Sequence, residues 1–466
     1  MKENKKLGLG SGVAVCMGLI VATSCLVSLG QGSGLAGKSF VLPLIIVAIL
    51  NSFIALSFSE LHSIIPNADG GLGQYMLVGL GPWASIVSNL SAYVLVSFFA
   101  LSVELSMCGI VLNELFPLIP APAFSIFIIA ALFIVNLLGV DIFAKVQNVT
   151  VVLLIGSMFV IGVLALLRLG TNAAIAPADI EAAPMSSFGD LISLSALAFW
   201  LFIGVEFIVP FSKNLRNPRR NVLLSMVIAL GVLAVVQAIL GMGMTNYVPL
   251  SQLQESDMPH VLFAEKMFGK GGGIWMAIVS VLASISTVNT ILPATGSILK
   301  GMADEKMAPS IFARVNKKNV PYGGMVLILV VVVGMIASGY VNSSGLINML
   351  LAGSCFWLAS YILTHLNVLV LRKRYPDAPR NKKLVLGGVP QIVGILGNIY
   401  MIWNISPVMD DRMLIFRLFS VLFAILAAFA FIWVGVVRKS KPFEPVPIDK
   451  LNADIGVALP EIKAVL

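Results

Sequence analysis

The sequence predicts an all-α integral membrane protein of twelve transmembrane helices, built as a 5+5 inverted repeat followed by two further C-terminal helices. Three observations predict it. Of 466 residues, 58% are hydrophobic and 11% charged, whereas a soluble domain carries about a quarter charged residues. Apolar runs of the length that crosses a bilayer as a helix recur along nearly the whole chain. The first and sixth runs are interrupted by small or polar residues. The repeat unit of five spans is odd, so the second set lies inverted relative to the first. That is the organisation in which a solute site forms where two broken helices meet.

In order, the spans are expected at Ser11–Leu29, Phe40–Leu61, Ala84–Leu115, Ala123–Val140, Gln147–Leu167 and Leu191–Phe211. The second half gives Val222–Asn246, Ile274–Leu299, Gly324–Tyr340, Gly345–Leu371, Gly388–Trp403 and Leu414–Val437. All are helices, because open backbone cannot face lipid. Residues 1–440 thus form one polytopic domain, with repeat one at about 11–167, repeat two at about 191–371 and the extra helices at about 388–437. Residues 441–466 carry Pro442, Pro445, Pro447 and Pro460 and read as a cytoplasmic, largely unstructured tail. Lys2, Lys5 and Lys6 precede the first apolar run as in a signal peptide. No small-x-small cleavage site introduces a soluble domain, so that run is expected to stay as a membrane helix.

The net charge of +8 is not a nucleic-acid signal, because Lys and Arg gather at the cytoplasmic ends of spans. With the N-terminus inside, 24 of the 30 basic residues fall on the cytoplasmic side and six outside (Lys38, Arg168, Lys266, Lys270, Arg412 and Arg417). This places both termini in the cytoplasm of a multi-pass cell-membrane protein. Cys16, Cys25, Cys108 and Cys355 lie in apolar runs without metal spacing and read as small buried hydrophobes. His62, His260 and His365 show no ligand spacing. No P-loop, nucleophile elbow or zinc pattern occurs, so no catalytic residue, metal site or resident cofactor is expected. A membrane enzyme lacks its acid–base pair or nucleophile here, and a sensor lacks a sizeable soluble domain.

Several residues stand out against the apolar background. Gly204 and Glu206 sit within span 6. A carboxylate in hydrocarbon is costly, so Glu206 faces protein or water. The glycine makes a local break cheap, and a broken helix frees backbone groups for a solute; a packing glycine beside a hydrogen-bonded carboxylate is the alternative. In span 1, Thr23 and Ser24 offer hydroxyls near mid-membrane, for ligand binding or for small-residue helix packing. Gly30, Gly32 and Gly34 read as a loop at the outer end. Glu104 in span 3 has no Lys or Arg within any span to pair with. Its partner is then the ligand's own cation, or Glu104 lies shallower, in the outer vestibule, or it carries a proton. Glu60 and Glu114 lie near helix ends and read as solvated. Span 8 bears Ser280, Ser284, Ser286, Thr287, Asn289 and Thr290. These could complete a sodium site with span 1 carbonyls, but interhelical hydrogen bonding is the preferred reading.

Three motifs carry a resemblance. Phe199-Trp200-Leu201-Phe202-Ile203-Gly204-Val205-Glu206, then Asn217-Pro218-Arg219-Arg220-Asn221-Val222, then Pro309-Ser310-Ile311-Phe312-Ala313-Arg314-Val315-Asn316 leading to Pro321, resemble amino acid–polyamine–organocation permeases. Bacterial arginine/agmatine-type exchangers look similar at all three places. The resemblance implies a LeuT-like fold and a secondary active transporter of amino acids or related amines, working by alternating access. It implies a substrate site from Ile20, Ala22, Thr23 and Ser24 in span 1, Leu101 and Glu104 in span 3, Trp200 and Ile203 in span 6 and Ile291 in span 8. Trp200 matches an aromatic that closes over the substrate, the backbone at Ile203 accepts its ammonium, and Glu206 matches a gating or proton-coupling carboxylate. The coupling ion is H+ or Na+; span 5 lacks the lysine that some members use in place of sodium. The family's Gly-Ser-Gly, whose amides take the substrate carboxylate, is replaced here by Ala22-Thr23-Ser24. Ala and Ser disfavour left-handed backbone, which points away from tight α-carboxylate binding and towards a cationic amine. A neutral amino acid permease or exchanger is the alternative, and a solute-binding membrane sensor a weaker one.

Overall fold

Apolar side chains cover the outside of this molecule as well as its interior. Val149, Val152 and Val160 on one helix and Val421, Ile425, Phe431 and Ile432 on another are exposed. Gln147, Asn289 and Asn136 are buried and bonded to one another, from Asn136 Nδ2 to Asn289 Oδ1 (3.0 Å) and from Asn289 Nδ2 to Gln147 Oε1 (2.9 Å). An apolar surface around a hydrogen-bonded polar interior suits a lipid solvent. The structure is a computed structural model and describes residues 6–66, 72–339, 344–380, 387–406 and 408–448.

Among the described residues the regular structure is helical. It opens with α1 (Leu9–Ile20), α2 (Thr23–Ala36), α3 (Val41–Ile64), α4 (Leu72–Gly79) and α5 (Pro82–Asn89). One wide helical turn, Leu90–Leu95, joins α5 to α6 (Val96–Leu115). Then follow α7 (Ala121–Leu137), α8 (Val140–Leu166), α9 (Phe188–Ser193), α10 (Ser195–Phe199), a 3-10 helix at Val205–Asn214 and α11 (Pro218–Met244). The remainder is α12 (Leu250–Glu255), α13 (Pro259–Phe268), α14 (Lys270–Asp304), α15 (Tyr322–Ala337), α16 (Ser344–Arg374), α17 (Val389–Trp403) and α18 (Met409–Trp433). Among the described residues, seven helical stretches are long and apolar enough to cross a membrane, and shorter apolar helices include Leu9–Ile20, Ala121–Leu137 and Tyr322–Ala337. The protein is a multi-pass membrane protein. Strand pairing among the described residues is confined to one isolated bridge between Leu7 and Leu215.

Span 1 is interrupted where small and hydroxyl residues were expected to break it, into α1 and α2 separated at Val21 and Ala22, and it runs on to Ala36, past the expected end at Leu29. The structure corrects three other sequence expectations. Gly30, Gly32 and Gly34 lie within α2, not in a loop. They are there for close packing: a Cβ on Gly34 would sit 2.6 Å from the Gln254 backbone nitrogen, and one on Gly30 would collide with the Pro259 ring. Glu60 is buried rather than solvated, held by Arg372 (2.6 Å) and Arg380 (2.9 Å), and so ties α3 to α16 and to the loop after it. The first part of the tail is packed, not loose. Trp83 N donates to Pro442 O (2.9 Å), Val446 N to Leu77 O (3.1 Å), and Ile448 is fully buried. The rest of the tail lies outside the described residues.

Candidate functional site

The two interrupted helices are broken by different backbone chemistry. In the first, Val21 N–H still bonds to Met17 O (3.0 Å), ending α1, but Val21 has ψ 88° and Ala22 is extended at φ −99°, ψ 163°. Extended backbone suits any residue, so this break needs no glycine. The break therefore does not depend on the left-handed backbone that Ala22 and Ser24 disfavour. Helix α2 restarts at Thr23 with its first amides unbonded within the helix, as at every helix N-terminus. The Glu104 carboxylate from α6 fills them. Thr23 N donates to Oε1, Ser24 N to Oε2 (3.2 Å), and the Ser284 hydroxyl on α14 to Oε1 (3.0 Å). Glu104 is 1% exposed, which excludes a place in an open vestibule. The groups that reach its oxygens are two backbone amides and one hydroxyl, all neutral. The Thr23 hydroxyl donates to Ser280 O (3.0 Å) and lies 3.2 Å from Ser284 Oγ, fixing that serine towards Glu104.

The second break follows α10. Residues Trp200–Gly204 form turns, and Gly204 takes φ 103°, ψ 13° before the 3-10 helix. This left-handed position strains any residue with a Cβ. Freed carbonyls find side-chain donors: Gln237 Nε2 to Leu201 O (3.0 Å) and the Cys25 thiol to Trp200 O (3.1 Å). Glu206 is fully buried and accepts from Trp357 Nε1 (2.6 Å) and the Tyr361 hydroxyl (2.7 Å), both on α16. Tyr361 in turn receives the Gly204 N–H at 3.3 Å. The glycine, the carboxylate and α16 are thus one unit.

The two breaks meet at Trp200. It is half-buried, and its indole N–H donates to the Ser24 hydroxyl at 3.1 Å. The structure brings Ala22, Thr23, Ser24, Glu104 and Trp200 together, with the Ile20 carbonyl receiving the Cys25 thiol (2.7 Å) at the same turn. Leu101, Ile203 and Ile291 lie in the surrounding apolar core. Glu206 turns away from this group towards α16. The hydroxyls of α14 tie helices together, as Thr287 does by donating to Leu19 O (3.3 Å) and Ser286 by accepting from Gln147 Nε2 (2.8 Å). Sequence reading missed Trp357 and Tyr361. Their signal was two aromatics with polar tips at i, i+4 in an apolar span, which bury only with a partner. The other two motifs build connections: Pro218 starts α11 at its first turn, and Asn316 accepts from Lys318 N (2.8 Å) and Val320 N (3.0 Å).

A helical bundle with an apolar surface, in which two broken helices meet beside one buried carboxyl group, has the construction of a membrane transporter. Residues 7–444 match the model of the amino acid permease family. The chain belongs to that family, within the amino acid–polyamine–organocation superfamily. It is 25% identical over 449 residues to the branched-chain amino acid permease BcaP of Bacillus subtilis (strain 168), covering 89% of this chain and 91% of that one. It is 22% identical over 392 residues to a methylthioribose transporter of the same organism (79% and 80% covered). It is 23% identical over 436 residues to the inner membrane transport protein YbaT of Escherichia coli (strain K12), with 91% and 96% covered. Among solved structures, an Eremococcus coleocola manganese transporter in complex with an aromatic bis-isothiourea substituted compound superposes with TM-score 0.58 at 15% identity, covering 92% of this chain and 94% of that one. That likeness concerns the fold alone.

Proposed function

We propose that this protein is a secondary active transporter that carries a substrate with a cationic amine across the cell membrane by alternating access, with both termini cytoplasmic. The twelve crossings and the inverted 5+5 arrangement belong to the same proposal. One observation carries it: a buried carboxylate, Glu104, sits at the meeting point of two broken helices and is bound only by neutral donors. Neutral donors stabilise the charge without cancelling it. Glu60, in contrast, meets two guanidinium groups. Among the described residues no salt bridge joins Glu104 or Glu206, so a cation brought by the ligand would meet a buried carboxyl group that no basic side chain already holds. Trp200 would close the site from one side, adding a cation–π contact, and Glu206 would couple the span 6 break to α16 as that lid moves. The coupling ion, proton or sodium, is part of what the assay below resolves.

Purified protein in liposomes, loaded or driven by a proton or sodium gradient, provides the test. Accumulation of cationic amines or cationic amino acids is expected, and Glu104→Gln should weaken it by about tenfold or more, the scale of a charged hydrogen bond. Uptake confined to neutral amino acids, unaffected by Glu104→Gln, would contradict the reading. The neutral reading has one observation in its favour, the name of the branched-chain relative.

A further inference from the structure

Helix α2 has 14 residues, and its aligned peptide dipoles place a partial positive charge at Thr23 and Ser24. A half-helix N-terminus of this kind, at the break of a transporter helix, is where an anionic group of the substrate is received. Here the chain supplies that anion itself. Glu104 reaches in from α6, takes both first-turn amides and is closed by a third donor from α14. The Thr23 hydroxyl is spent on Ser280 O, and the Ser24 hydroxyl accepts the Trp200 indole N–H, which leaves one hydroxyl proton of the turn uncommitted. A second carboxylate brought by a ligand would find both backbone amides used and another carboxyl group beside it.

Resting on the transport reading above, we infer that Glu104 is a tethered replacement for a substrate carboxylate, so that the transported class is amines without one: monoamines, diamines or guanidino-amines. The ammonium group would keep its complement in the Glu104 carboxyl group, which no basic side chain among the described residues holds. The α-carboxylate of an amino acid has no such place.

Matched ligand pairs that differ by one carboxylate test this on the full-length protein: cadaverine against lysine, agmatine against arginine, and 3-methylbutylamine against leucine. Binding is read by thermal shift and transport by flux into liposomes. In the wild-type protein at least one amine should bind about tenfold or more tightly than its amino acid partner, the expected weight of one charge-assisted hydrogen bond. Glu104→Ala empties the α2 N-terminus, and the same pair should then narrow or invert, with the amino acid gaining. Glu104→Gln keeps the shape and should weaken the amine without admitting the amino acid. Should wild-type protein prefer the amino acid of every pair, Glu104 gives way to the ligand, and the inference falls while the transport reading stands. Should wild-type protein neither bind nor move any member of any pair, both fall together.

Discussion

The two broken helices present two buried carboxylates that look alike in sequence and differ in construction. Glu104 is delivered from a third helix, α6, into a gap between α1 and α2. Glu206 belongs to its own broken span, two residues past the glycine that breaks it, and its partners come from α16. The first break uses ordinary extended backbone and leaves an anion site that another group fills. The second uses left-handed glycine and builds its carboxylate into a hydrogen-bonded frame. The difference separates the two carboxylates: Glu104 is held at a helix N-terminus by groups from other elements, whereas Glu206 is bonded into the frame that joins the Gly204 turn to α16.

The largest effect expected from this contrast is at Glu206. Glu206→Ala leaves the Trp357 and Tyr361 donors buried without a partner and should cost about 3–5 kcal/mol of stability. A melting temperature within a degree or two of wild type would remove Glu206 from its structural role. Next comes Gly204→Ala. Left-handed backbone for a non-glycine costs on the order of 1–3 kcal/mol, and the new Cβ would collide with Leu19 Cδ2. The variant should fold with reduced stability and reduced transport. Normal flux from it would show that the span 6 turn tolerates another conformation. Smaller again is Trp200→Ala, which removes the indole bond to Ser24 and with it the proposed lid. Substrate affinity should fall by about 0.5–2 kcal/mol in a protein that melts normally, and unchanged transport kinetics would detach Trp200 from the site.

Much of this was legible in the sequence. The apolar runs, the break near Gly204 and the isolation of Glu104 from any cation are all local patterns, and a carboxylate inside a span announces itself by cost alone. The break at Val21–Ala22 was only half legible. Small residues marked the place, but glycine-type backbone was the natural expectation there, and extended backbone leaves no residue signature. Partners distant in sequence were not legible at all. Glu206 finds Trp357 and Tyr361 151 and 155 residues away, and Glu60 finds Arg372 312 residues away. The cluster Gly30, Gly32 and Gly34 misled because glycines for close packing and glycines for turns are the same letters; only the neighbours at α12 and Pro259 distinguish them.

The central claim is that the Glu104 carboxylate occupies an anion site that exists without it. Its most direct test is thermal unfolding of Glu104→Ala and of the wild-type protein in rising sodium formate, with sodium chloride at matched ionic strength as the reference. A free carboxylate that binds the native state raises its stability. Formate should raise the melting temperature of Glu104→Ala above the chloride reference and leave the wild-type protein, whose site Glu104 fills, unchanged. Equal responses of the two proteins, or none from Glu104→Ala, would contradict the account.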